Sequence, residues 1–145
     1  MSRGLGDVYK RQDSFFVSSQ ITVEDIPDIA KQGFSTIVCN RPNHEEIGQT
    51  DYQKIELCCA QNNLKFINLP MSPGHLTSDL IDQTYDLINE ENKTFAYCRT
   101  GTRCITLWAC ANVKLNEVSE TLDQVNQAGY DLDHLQDFLE DIKAS

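Results

Sequence analysis

A short apolar strand, a six-residue loop and a helix apolar on nearly every face follow one another between Thr94 and Ala111, and this succession constrains the fold more than any other feature. Thr94-Phe95-Ala96-Tyr97 has the length and composition of a buried strand. Cys104-Ile105-Thr106-Leu107-Trp108-Ala109-Cys110-Ala111 is apolar nearly all round, which predicts a buried helix. Between them lies Cys98-Arg99-Thr100-Gly101-Thr102-Arg103. A cysteine in that position meets the partial positive charge of the loop N–H groups and of the helix N-terminus. Arg103 adds a fixed, planar donor pair, and Gly101 lets the backbone turn tightly around an anion. Such a field favours thiolate over thiol and predicts a Cys98 pKa below the free value of about 8.5. It would also hold an oxyanion over the sulfur, with Thr100, Gly101 and Thr102 forming the anion-binding loop. Arg99 either shapes the entrance or faces solvent.

The rest of the chain reads as strands alternating with helices. Phe15-Phe16-Val17 is a first strand. Thr22, with Asp25 three residues on, predicts a capped helix start. Val23, Ile26, Ile29 and Ala30 mark that helix's apolar face, and Gly33 ends it. Phe34 to Cys39 is a second strand, broken by Asn40-Arg41-Pro42. Thr50 is expected to cap a helix from Asp51 to Asn62 that turns Ile55, Cys58 and Cys59 inward. Lys65 to Leu69 is a third strand, ended by Pro70. Thr77 caps a helix with Leu80, Ile81, Thr84, Leu87 and Ile88 on one face. After the Cys98 segment, helices are predicted over 116–128 and 133–143. Four strands alternating with helices imply an α/β fold with a parallel four-stranded sheet flanked by helices. Ligands in such sheets bind beyond the carboxyl ends of the strands. That rule gathers Asn40-Arg41-Pro42, Pro70 to His75 and Cys98 to Arg103 at one rim.

Composition narrows the class. The formal net charge is −10, so binding of nucleic acid by counterion release, or of anionic lipid, is not expected. No apolar run approaches the roughly 18–20 residues of a membrane span, and a cytoplasmic location is the expectation. Met1 to Gln12 lacks periodicity and the features of a targeting peptide. It reads as a non-native or disordered leader, with one domain over 13–145. Its three bases and one acid make the remainder still more acidic. The six cysteines lie mostly in apolar runs, where cysteine behaves as a small hydrophobe. With no CxxC pair and with His44, His75 and His134 scattered, neither a disulfide framework nor a metal site is expected. No cofactor is expected either.

Ser19-Gln20-Ile21-Thr22, Val38-Cys39-Asn40-Arg41-Pro42 and Tyr97 to Arg103, followed by Thr106-Leu107-Trp108-Ala109, together resemble one bacterial family. It is the phosphatase-like domain of beta-lactamase hydrolase-like proteins, found alone or fused to metallo-β-lactamase-type hydrolases. The resemblance runs from Phe15 to Glu140 and implies a dual-specificity-phosphatase-like fold, with a metallo-hydrolase as partner. Members carry both phosphatase and sulfurtransferase labels. Tyrosine phosphatases separate their Cys and Arg by five residues, whereas Cys98 and Arg103 are separated by four, as in rhodanese-type sulfurtransferases. Tyr97 stands where phosphatases usually carry histidine. No acid lies between Leu69 and Thr77, where a phosphatase places its general acid. Asp79 is a possible substitute or simply complements its own helix dipole.

These features put sulfane-sulfur transfer through a Cys98 persulfide first. Hydrolysis of phosphomonoesters through a phosphocysteine is the alternative, and a non-catalytic anion-binding module the weaker one. The substrate is then a small sulfur- or phosphate-containing molecule. Cys104 replaces a serine common in the family; it either steadies or resolves Cys98, or is a near-isosteric swap. His75 either handles a substrate or a proton, or is merely exposed. Arg41 either adds positive charge at the rim or pins its own turn.

Overall fold

The computed structural model describes residues 2–3, 15–90 and 92–145. Its sheet comprises β1 (Ser2–Arg3), β2 (Phe15–Ser18), β3 (Thr36–Cys39), β4 (Lys65–Asn68) and β5 (Thr94–Tyr97), in spatial order β1-β2-β5-β3-β4. The four strands read from the sequence are all parallel to one another, with β5 in the centre between β2 and β3. β1 is an addition. Two residues of the segment expected to be a leader pair antiparallel with β2, because an edge strand leaves N–H and C=O groups open to any extended neighbour. The remainder of that segment lies outside the described residues.

Side-chain alternation along the strands builds two cores. Val17, Val38 and Ala96 face one way, into a cluster with Ile105, Leu107, Trp108, Ile81, Val125 and Leu139. Ile37, Cys39, Phe95 and Tyr97 face the other way, against Ile26, Ile29 and Ile55. The first face is covered by α3 (Ser78–Asn89), α4 (Thr102–Asn112), α5 (Val118–Gln127) and α6 (Gln136–Ala144). The second is covered by α1 (Ile26–Lys31) and α2 (Tyr52–Gln61). The all-round apolar segment is α4, wedged between the sheet and the other helices with Trp108 fully buried. That explains why no polar face was available to it.

Three helix starts differ from expectation. Thr22 does open a turn, its N–H donating to Asp25 Oδ2 at 2.9 Å, but Val23–Asp25 is a 3₁₀ turn and α1 begins at Ile26. Pro27 then falls in the first turn of α1, where its missing N–H costs nothing. Asp51, rather than Thr50, is the N-cap of α2. The cap hydrogen bond comes from outside the helix, with Asn43 Oδ1 accepting from the Tyr52 N–H at 2.8 Å. The last helix opens with a 3₁₀ turn, Asp133–Leu135, and becomes α6 only at Gln136. Thr77 caps α3 as read, its Oγ1 accepting from the Leu80 N–H at 3.2 Å.

Candidate active site

The carboxyl ends of β2, β3, β4 and β5 are laced together by backbone hydrogen bonds. The Cys98 N–H donates to the Ser18 carbonyl at 3.2 Å, Asn40 N–H to Tyr97 carbonyl at 2.9 Å, and Met71 N–H to Asn40 carbonyl at 3.2 Å. These bonds bring the three rim segments together, as topology required. Cys98 is the first residue after the central strand and is fully buried.

The loop beyond it curls back on the sulfur. Gly101 adopts φ 93° and its N–H donates to Cys98 Sγ at 3.1 Å. A Cβ at Gly101 would overlap the Tyr130 hydroxyl, which donates to the Thr100 carbonyl at 3.0 Å. Glycine is therefore required twice over, for the left-handed backbone and for space. Thr100 and Thr102 brace the loop through hydroxyls 3.0 Å apart. Gly101 caps α4, so Arg103 and Cys104 lie in its first turn.

Cys104 does more than fill space. The buried Cys104 side chain is the largest influence bringing the Cys98 thiol down to about 6. Burial opposes it, and N–H donation from Cys104, Thr100 and Gly101 assists it. Other thiols move the opposite way: burial pushes Cys59 and Cys110 up to about 12 and raises Cys39 and Cys104 as well. Tyr97 packs into the opposite core, where burial raises its hydroxyl pKa.

Because the folded-state pKa of Cys98 lies below that of an unfolded thiol, the thiolate contributes stability that is complete above the unfolded value. That contribution is lost as pH falls through about 6. Alkylation of Cys98 should rise with pH through the same midpoint. Cys104→Ala removes the largest lowering influence, so the midpoint is expected to move upward and labelling at pH 6 to slow, with the high-pH rate retained. Peptide-mapped iodoacetamide labelling across pH measures this. An unmoved midpoint would assign the acidity to the backbone N–H groups alone.

Arg103 stands at the rim, its side chain 13% exposed. Its Nη1 donates to Glu45 Oε2 at 2.9 Å and to the Met71 carbonyl at 2.8 Å, and its Nη2 donates to Glu45 Oε1 at 2.8 Å. Hydrogen bonding to Arg103 holds the Glu45 carboxyl below the usual range. Glu45, Glu46, Pro73, Arg99 and Arg103 line an open cleft of about 330 Å³. Arg99 is mostly exposed, with its Nε 3.8 Å from Glu46 Oε2.

Two sequence candidates are not brought in. His75 and Asp79 are exposed, and Pro73 is the residue of their loop that lines the cleft. The His75 N–H closes a turn onto the Ser72 carbonyl at 3.0 Å. Asp79 sits in the first turn of α3, where a carboxylate complements the helix dipole. Arg41 does not open onto the rim: it is 1% exposed and lies beneath Glu45 and Glu46, to which it is paired. Sequence reasoning missed Glu45, Glu46 and Gln20. The strand-end rule that picked out residues 40–42 would have reached Glu45 and Glu46 had it been carried a few residues further along the loop. Among the described residues, no cluster of side chains suited to a metal ion occurs.

A parallel sheet whose central strand delivers a cysteine to a glycine-turned loop and a helix N-terminus defines a dual-specificity-phosphatase-like domain. The solved structures similar to it agree. A Neisseria meningitidis Z2491 protein with a provisional phosphatase designation matches with TM-score 0.79 and 30% identity, over 91% of this chain and 95% of that one. Tk-PTP in its active form matches with TM-score 0.70 and 12% identity, over 99% and 96%. The core catalytic domain of the PP-IP phosphatase SIW14 from S. cerevisiae matches with TM-score 0.65 and 16% identity, over 88% and 79%. The last two are similar in fold alone. The chain belongs to the family of the beta-lactamase hydrolase-like protein, phosphatase-like domain, whose model matches residues 7–114. The beta-lactamase hydrolase-like protein of Agrobacterium fabrum (strain C58 / ATCC 33970) is 28% identical over 93 residues, 63% of this chain. The match covers only 22% of that longer relative. No helix among the described residues is long and apolar enough to cross a membrane.

Proposed function

We propose that this domain hydrolyses phosphomonoesters through a phosphocysteine at Cys98. The observation that carries the reading is the Cys98 thiolate cradled at the start of α4, with Arg103 on the adjoining cleft, in a chain of a phosphatase-like family. The order expected from loop length, Tyr97 and the missing acid is thereby reversed, because the family and the fold neighbours are phosphatase-like.

In the first step Cys98 Sγ attacks phosphorus. The bond from phosphorus to the ester oxygen breaks, and its electron pair leaves with that oxygen. The loop N–H groups and Arg103 receive the developing charge on the non-bridging oxygens. Water then attacks the phosphocysteine, giving inorganic phosphate and the free thiolate. Aryl phosphates suit the assay, since their leaving groups need no proton from the protein.

Sulfane-sulfur transfer remains the second reading, favoured by the four-residue spacing between Cys98 and Arg103. Intact mass after incubation with an aryl phosphate or with thiosulfate separates the two. A phosphoryl adduct on Cys98 supports hydrolysis, whereas a single added sulfur reverses the order. Free thiols throughout fit the reducing cytoplasm. A metallo-hydrolase partner, joined to this domain or separate, completes the reading.

A further inference from the structure

Arg41 is an expensive residue to bury, because a guanidinium withdrawn from water needs every charge and donor matched. It is 1% exposed, and all three of its nitrogens are committed. Nη1 donates to Gln20 Oε1 at 2.9 Å, Nη2 to Glu46 Oε1 at 2.9 Å and Nε to Glu45 Oε1 at 2.8 Å. Three of its five N–H groups are spent on these partners, and its burial keeps the other two away from a substrate in the cleft. The partner that matters is Glu45, whose same Oε1 also accepts from Arg103 Nη2 at 2.8 Å.

The geometry of that shared carboxylate decides which donors of Arg103 remain. A guanidinium has five N–H groups in a planar fork. Both on Nη1 are used, by Glu45 Oε2 and the Met71 carbonyl, and one on Nη2 is used by Glu45 Oε1. The second Nη2 hydrogen and the Nε hydrogen are left. These two lie along one edge and point in parallel, the arrangement that grips two oxygens of one oxyanion. Without Arg41 behind it, the Glu45 side chain would be tied by Arg103 alone, so the two could swing together and the open edge of Arg103 would lose its fixed direction.

We propose that Arg41 is a positioning residue: through Glu45 it locks Arg103 with one two-donor edge open for the oxyanion. This rests on the phosphoester reading above, since an oxyanion is what the edge would bind. The alternative role, a brace for the 40–50 loop alone, predicts lower stability without lower anion affinity.

Calorimetric binding of inorganic phosphate to the Cys98→Ser protein tests it. Glu45→Gln and Arg41→Lys are each combined with native Arg103 and with Arg103→Lys. Expected with native Arg103 is a loss of affinity of about tenfold for either change, and with Arg103→Lys a further loss of less than about twofold. Additive losses would overturn the proposal, as would unchanged affinity alongside a lowered Tm, or no phosphate binding before any further change. Should Arg41→Lys fail to fold, Glu45→Gln carries the cycle alone, since Glu45 lies at the surface. The two readings fail separately. No phosphoryl adduct on Cys98 with a non-additive cycle removes the phosphatase reading only, and an adduct with an additive cycle removes the positioning role only.

Discussion

Cys98→Ser is expected to abolish turnover of aryl phosphates, by about 10⁴-fold or more, while the domain stays folded. The two side chains are similar in size, and Cys98 is fully buried in a loop held by backbone bonds that serine would keep. What serine lacks is a readily formed anion. The thiol has a pKa of about 6, with Cys104 supplying the largest share of that lowering and the loop N–H groups the remainder. A hydroxyl in the same cradle remains protonated at neutral pH, and no base among its hydrogen-bonding neighbours is placed to take the proton. The variant should still bind inorganic phosphate, because the donors that contact oxygen are untouched. Rate measurements, together with intact mass of the quenched reaction, check this. Turnover retained within tenfold would show that Cys98 is not the nucleophile, whatever its pKa.

The fold was legible because its strongest signals are local. Short apolar runs ended by turn residues placed all four parallel strands, and the all-round apolar character of 104–111 announced a helix with protein on every side. The cysteine cradle was legible too, since strand, glycine and helix start are contiguous. What stayed hidden depends on contacts between distant segments. The cap on α2 is supplied by Asn43, nine positions before the N–H it accepts from. The carboxylate that clamps Arg103 lies 58 positions away in the chain. Residues 43–50 have no period to read, so their meaning is set by what they reach. Arg41 was ambiguous for the same reason: exposed and buried arginines look alike until their partners are known. Cys104 was open between steadying or resolving Cys98 and a mere swap, because cysteine is usually a packing residue, and only its place in the first turn of α4 beside Cys98 selects the electrostatic role.

Arg103→Lys should lower kcat/KM for aryl phosphates by at least about tenfold, or about 1.4 kcal/mol of barrier. Lysine keeps the positive charge near Cys98, so the pH midpoint for labelling of the thiolate should hardly move. It cannot keep the fork. The ammonium has three donors around one point, whereas Arg103 spends three N–H groups on Glu45 and Met71 and still offers a parallel pair. A lysine that reached Glu45 would have no fixed edge left for the substrate. The loss should fall on kcat as well as KM, because contacts to the oxygens strengthen as charge develops on them in the transition state. Thermal stability should change little, since the Arg103–Glu45 pair sits at the rim where an ion pair contributes modestly. Full activity in the lysine variant would mean that Arg103 serves only to tie Glu45 and Met71 to α4. The anion would then be held by the Gly101 cradle and the exposed Arg99 without it.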